Sequence, residues 1–104
     1  MIPLRIKEDV QLLGIQPQVV LAIVTAQALW EKYGAQELTV TSVTEGRHSR
    51  TSLHYAGFAV DLRIHGIPVG YRQALRDELA ERLGPEFDVI LEEDHIHVEW
   101  QPKR

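Results

Sequence analysis

The chain contains no cysteine. That excludes disulfides and thiolate metal ligands, so any metal has to be held by histidine and carboxylate side chains. It leaves the redox compartment open. No stretch approaches the roughly 20 apolar residues of a membrane span, and the start, "MIPLRIKEDVQLLG", lacks a basic opening followed by a continuous apolar run. The expectation is a protein with no membrane partner that is cytoplasmic on synthesis. A basic stripe is missing too. Lysine and arginine are scattered and the formal net charge is -4, which argues against nucleic acid as a partner. No repeat, linker or low-complexity segment appears.

What is present suits one folded domain. With 104 residues, of which 44% are hydrophobic and 25% charged, the chain can build a single modest core over residues 1–104 and is too short for two. Pro17 suits a first helical turn and Gly34 an exit, which predicts a helix over 17–33. Val19, Ile23, Ala26, Trp30 and Tyr33 form its apolar stripe, a core-packing feature. "ELTVTSV" predicts a strand near 37–43, and "TEGRHSRTS" a polar loop. "FAVDLRI" alternates, with Val60, Leu62 and Ile64 on one side and Ala59, Asp61 and Arg63 on the other. "HGIPVG" is a turn-rich connection in which His65 reads as ordinary turn chemistry. A second helix follows in "YRQALRDELAERLG", stacking Tyr71, Leu75, Leu79 and Leu83 and stopping at Gly84. "EFDVILEEDHIHVEW" predicts two short strands, from Phe87 to about Leu91 and from His95 to Trp100, around an acidic bend. The order of elements and the alternating strands predict an α+β fold, a small antiparallel sheet with helices on one face.

Two segments carry chemistry. "SLHYAGFAVD" sets His54 and Asp61 about a tight Gly57 turn. In "HIHVEW", the period of two sends Ile96, Val98 and Trp100 to the core and His95, His97 and Glu99 to the opposite face. If the two strands share a sheet, Asp61 meets the histidine pair on the open face and His54 swings over them. Three nitrogen and oxygen donors with an open fourth position are the arrangement of a catalytic zinc, and His54, Asp61 and His97 supply such a set. Hydrolysis also needs a carboxylate that takes and returns a proton, and "LEEDHIH" offers Glu92, Glu93 and Asp94. Taken singly, these residues read as a loop histidine, a turn aspartate and a solvated acidic bend. Their co-occurrence raises the metal reading.

The pattern S-x-H-x-x-G-x-A-x-D at Ser52, His54, Gly57, Ala59 and Asp61, with D-H-I-H-V-E from Asp94, resembles the zinc D-alanyl-D-alanine peptidase and phage endolysin family. That superfamily includes hedgehog signalling domains and, more distantly, lysostaphin-type peptidases, and the "GRHSRTSLHYAGFAVD" wording is locally hedgehog-like. The resemblance spans about Val40 to Trp100. It implies a zinc site on the open face with ligands His54, Asp61 and His97. Asp94 matches the family's acid/base position, with Glu92 the equivalent if the loop differs by one residue. It further implies that His95 stabilises an oxyanion or orients water. Ser52 would then lie near the substrate, and Arg47 or His48 would orient it.

The function this implies is a zinc metallopeptidase acting on peptidoglycan stem peptides, as a carboxypeptidase or an endopeptidase of endolysin type. It would reach the cell wall through a phage holin or as part of a particle. The alternatives are a non-catalytic hedgehog-like zinc-containing binding module and a phage structural component that has kept the site. Fold resemblance alone does not separate enzymes from binding domains.

Overall fold

A computed structural model describes residues 1–44 and 58–101. The elements run β1 (Leu4–Ile6), α1 (Pro17–Lys32), β2 (Leu38–Thr44), β3 (Ala59–Arg63), a short 3-10 turn (Val69–Tyr71), α2 (Arg72–Leu83), β4 (Phe87–Leu91) and β5 (His95–Trp100). The strands form one five-stranded sheet in the order β1-β2-β3-β5-β4. This is the expected α+β class with one correction, because the sheet is mixed. β1 pairs parallel to β2, Leu4 opposite Leu38 and Ile6 opposite Val40, while the other three pairings are antiparallel. The sequence hides β1 because three exposed residues make no readable alternation. Its partner is reached only by a crossover through α1, the connection that parallel pairing requires.

Each element follows from its local sequence. Pro17 occupies the first turn of α1, where a missing N–H costs nothing, and Gly34 leaves the helix at φ +97, a region closed to most side chains. Val19, Ile23, Ala26 and Trp30 are buried as their spacing predicts, joined by Ala22 and Leu29. In α2, Leu75 and Leu79 are buried. Tyr71 departs from the expected stripe: it sits in the 3-10 turn before the helix, exposed, with its ring 6.3 Å from that of Tyr33. Trp100 departs as well. Expected in the core, it is half-buried, edge-on to Phe58 at 5.2 Å.

The core lies between the helices and one sheet face. Val40, Val60, Leu62, Ile96, Val98 and Val89 come from the strands and the α1 and α2 residues from above. A β-bulge makes this possible in β2. Val40 and Val43 are three residues apart, an odd number that regular alternation would send to opposite faces. The register shift between Val40 and Ser42 restores Val40 to Leu62 and Val43 to Val60, and thereby sets Ser42 opposite Asp61. Thr41 takes up the extra position and its hydroxyl donates to the Asp61 carbonyl at 3.4 Å.

The fully buried Trp30 ties helix to sheet, its indole N–H donating to the Arg63 carbonyl at 2.8 Å. Trp30→Phe keeps most of the packing and orphans that carbonyl. It should lower the unfolding free energy by about 1–3 kcal/mol, read as a lower midpoint in denaturant; an unchanged midpoint would show that solvent replaces the bond.

Candidate metal and catalytic site

The face of the sheet away from the helices carries polar side chains because β3 and β5 alternate in phase. Their antiparallel register pairs Asp61 with His97, Arg63 with His95 and Ala59 with Glu99. The next strand continues the rows, with Ile90 beside His97 and Asp88 beside Glu99. Two segments far apart in sequence therefore meet as the alternation requires.

The side chains form a chain of contacts. His97 Nδ1 donates to Asp61 Oδ1 at 2.8 Å, and His97 Nε2 lies 3.1 Å from Glu99 Oε1. The other Glu99 oxygen accepts from the Gln101 amide at 2.8 Å. On the opposite side, His95 Nε2 is 3.7 Å from the same Asp61 oxygen, and its Nδ1 lies 2.7 Å from Asp94 Oδ1. Asp61, His95, His97 and Glu99 are each partly shielded, whereas Asp94 is 70% exposed and so reaches solvent directly.

The electrostatics follow from these contacts. The Asp61 hydrogen bond, reinforced by Glu99, outweighs the cost of burying a charged ring and pushes His97 up to about 9. The His95 hydrogen bond holds the Asp94 carboxyl below the usual carboxylate range, and charge on His65 adds to the effect. Asp94 is thus ionised at neutral pH.

Three of the expected site residues stand together here: Asp61, His95 and His97, with Asp94 attached through His95. Ser52, His54, Arg47 and His48 lie outside the described residues. Glu92 and Glu93 are exposed in the turn between β4 and β5, where the Glu92 N–H donates to the His95 carbonyl at 2.8 Å. The alternation of β5 puts Glu99 on the open face and gives it no role. Its carboxylate backs the His97 ring, and the period of two was the signal that could have found it. Such a partner on the far nitrogen fixes the ring and its tautomer toward a metal.

Oxygen and imidazole donors suit zinc. In a tetrahedral zinc site with bonds of about 2.0–2.1 Å the donor atoms stand roughly 3.3 Å apart. Asp61 and His97, in direct hydrogen bond, would open only slightly to admit the ion once the Nδ1 proton leaves. They make two donors; among the described residues no group of three or more His, Asp or Glu is arranged to hold a metal.

Protein-family models, curated proteins and solved structures were all compared with the chain. It matches none of them. The site is read from its own chemistry.

In the metal-free protein the His97 ring should titrate near pH 9 by NMR. Because the folded value is raised above the ordinary value near 6.5, its contribution to stability is fully present below about pH 6.5 and is lost as pH rises through 9. Asp61→Asn should lower the titration point most and Glu99→Gln less; a ring that titrates near 6.5 in the unaltered protein would show that neither carboxylate engages it.

Proposed function

We propose that the protein is a zinc-dependent peptidase that hydrolyses a peptide bond in bacterial cell-wall peptidoglycan stems, as a member of the zinc D-alanyl-D-alanine peptidase and phage endolysin family. The observation that carries this reading is the Asp61–His97 pair, 2.8 Å apart, with Glu99 behind the ring and the His95–Asp94 pair beside it. A purely structural ion pair would need only the first two residues.

Asp61 and His97 would hold the zinc, with His54 as the third donor. Bound zinc supplies a Lewis acid that polarises a carbonyl and lets water attack near neutral pH. Glu99 would keep the His97 ring turned so that Nδ1 faces Asp61. His95, its Nδ1 engaged by Asp94, presents Nε2 toward the same space as the Asp61 carboxylate and, when protonated on both nitrogens, would donate a hydrogen bond to the oxyanion of the tetrahedral intermediate. Asp94, ionised at neutral pH, would accept the proton of the attacking water and return it to the departing amine. Glu92 is its competitor for that role. Arg47, His48 and Ser52 would contact the substrate. Action at the wall, after release through a holin or delivery in a particle, belongs to the same proposal.

The test is mass spectrometry of fragments released from purified peptidoglycan by the zinc-loaded protein, beside a chelated sample. Chelator-sensitive release of defined peptide fragments is the expected result. No release from several wall chemotypes, by protein shown to hold zinc, would favour the hedgehog-like binding module.

Variants separate the roles. His97→Ala should lose zinc and activity together. Asp94→Asn should keep zinc and lose activity by two to four orders of magnitude, the usual weight of an acid/base group. Full turnover in Asp94→Asn with a dead Glu92→Gln would move the base to Glu92. Glu99→Gln should weaken zinc binding about 10- to 100-fold while all ligands remain, measured by competition with a chelating dye.

A further inference from the structure

A cleft of about 510 Å³ opens beside the candidate site, lined by Gly34, Gln36, Glu37, Arg63, His65 and Gly66. Arg63 links it to the Asp61–His97 pair. It stands two residues after Asp61 on the same face of β3 and directly opposite His95 in the register. The backbone is held in place, since the Arg63 carbonyl accepts from buried Trp30 and the next residue's N–H donates to the Asp94 carbonyl at 3.3 Å. Arg63 thus stands between the cleft and the Asp94 end of the site.

Arg63 is partly buried, and its guanidinium makes no ion pair or hydrogen bond to any described residue. The acids around it are engaged with other groups: Glu37 with Arg5 at 2.5 Å, Asp61 with His97, and Asp94 with His95. An arginine carries five donors in a planar fork that matches a carboxylate in bidentate fashion. Here Arg63 lines a cleft, and no described residue takes any of its fork's donors.

We infer that Arg63 binds a carboxylate of the substrate in this cleft. The inference rests on the peptidase reading above and narrows its substrate class. Two residues along a strand span about 6.6–6.8 Å, and a peptide residue spans at most about 3.6 Å. With the reach of the arginine side chain added, the bound carboxylate lies within a few residues of the cleaved bond. Two carboxylates of a wall stem qualify: the terminal carboxylate of a D-alanyl-D-alanine end, and the free α-carboxyl of a γ-linked D-glutamate inside the stem.

The experiment compares acid and amide forms of each source. N-acetyl-D-alanyl-D-alanine and its C-terminal amide form one pair. L-alanyl-γ-D-glutamyl-L-lysine and the same peptide with its D-glutamyl α-carboxyl amidated form the other. Binding to the full chain is followed by NMR titration for the unaltered protein, Arg63→Lys and Arg63→Gln, with circular dichroism to establish folding, and hydrolysis of the same peptides is followed after zinc loading. The expected result is a preference for the acid of roughly tenfold or more in one pair, the size of a charge-assisted contact. That preference should be lost in Arg63→Gln and kept in part by Arg63→Lys, and the pair that shows it names the source.

Equal affinity for acid and amide in both pairs, including no measurable binding of either, would overturn the inference, as would a preference that survives Arg63→Gln. An acid preference without hydrolysis would uphold Arg63 and count against the peptidase. Hydrolysis without a preference would do the reverse.

Discussion

The antiparallel register between β3 and β5 is the constraint on which the rest of this molecule depends. Once Leu62 faces Ile96 and Val60 faces Val98 in the core, Asp61 has to face His97 on the other side. The same hydrophobic burial that closes the core under α1 and α2 thus assembles the polar site. A slip of one residue turns the slipped strand over: in β5 it would bury His97 and expose Ile96 and Val98, and in β3 it would bury Asp61 and expose Val60 and Leu62. The cost of either error is several kcal/mol by area alone, so the site inherits its geometry from the most strongly specified part of the fold.

Around that pair the groups divide by what holds them. His97 lies between two carboxylates and His95 leans on one. The asymmetry separates their chemistry. The ring between Asp61 and Glu99 is oriented from both nitrogens and holds its proton tightly. The ring beside Asp94 keeps one nitrogen directed at the space in front of Asp61. Arg63 extends the same face into the neighbouring cleft, so the Asp61–His97 pair, the His95–Asp94 pair and an arginine stand in adjacent rows.

The bulge in β2 shows how a local departure from regularity serves the fold. Val40 and Val43 both belong to the core, and only an extra residue between them lets one strand deliver both. The same adjustment puts Ser42 beside Asp61. The odd spacing of the two valines was visible in "LTVTSVT", yet a strand reading that counts only β-branched content passes over it.

Much of this was legible in the sequence. Both helices, four of the five strands and the open-face placement of Asp61, His95, His97 and Glu99 follow from periods of 3.6 and 2, which are properties of a chain segment alone. β1 was not legible, because a three-residue strand takes its identity from its partner. The exposure of Tyr71 and the half-burial of Trp100 were not legible either, since both residues sit at element ends where packing overrides periodicity. Sequence by itself determined which face Asp61, His95, His97 and Glu99 take. Only the tertiary structure decided that β3 lies next to β5, that Glu99 supports His97, that Asp94 is drawn to His95 and that Arg63 lines a cleft. Those are contacts between strands, and alternation along one strand carries no information about which strand will lie beside it.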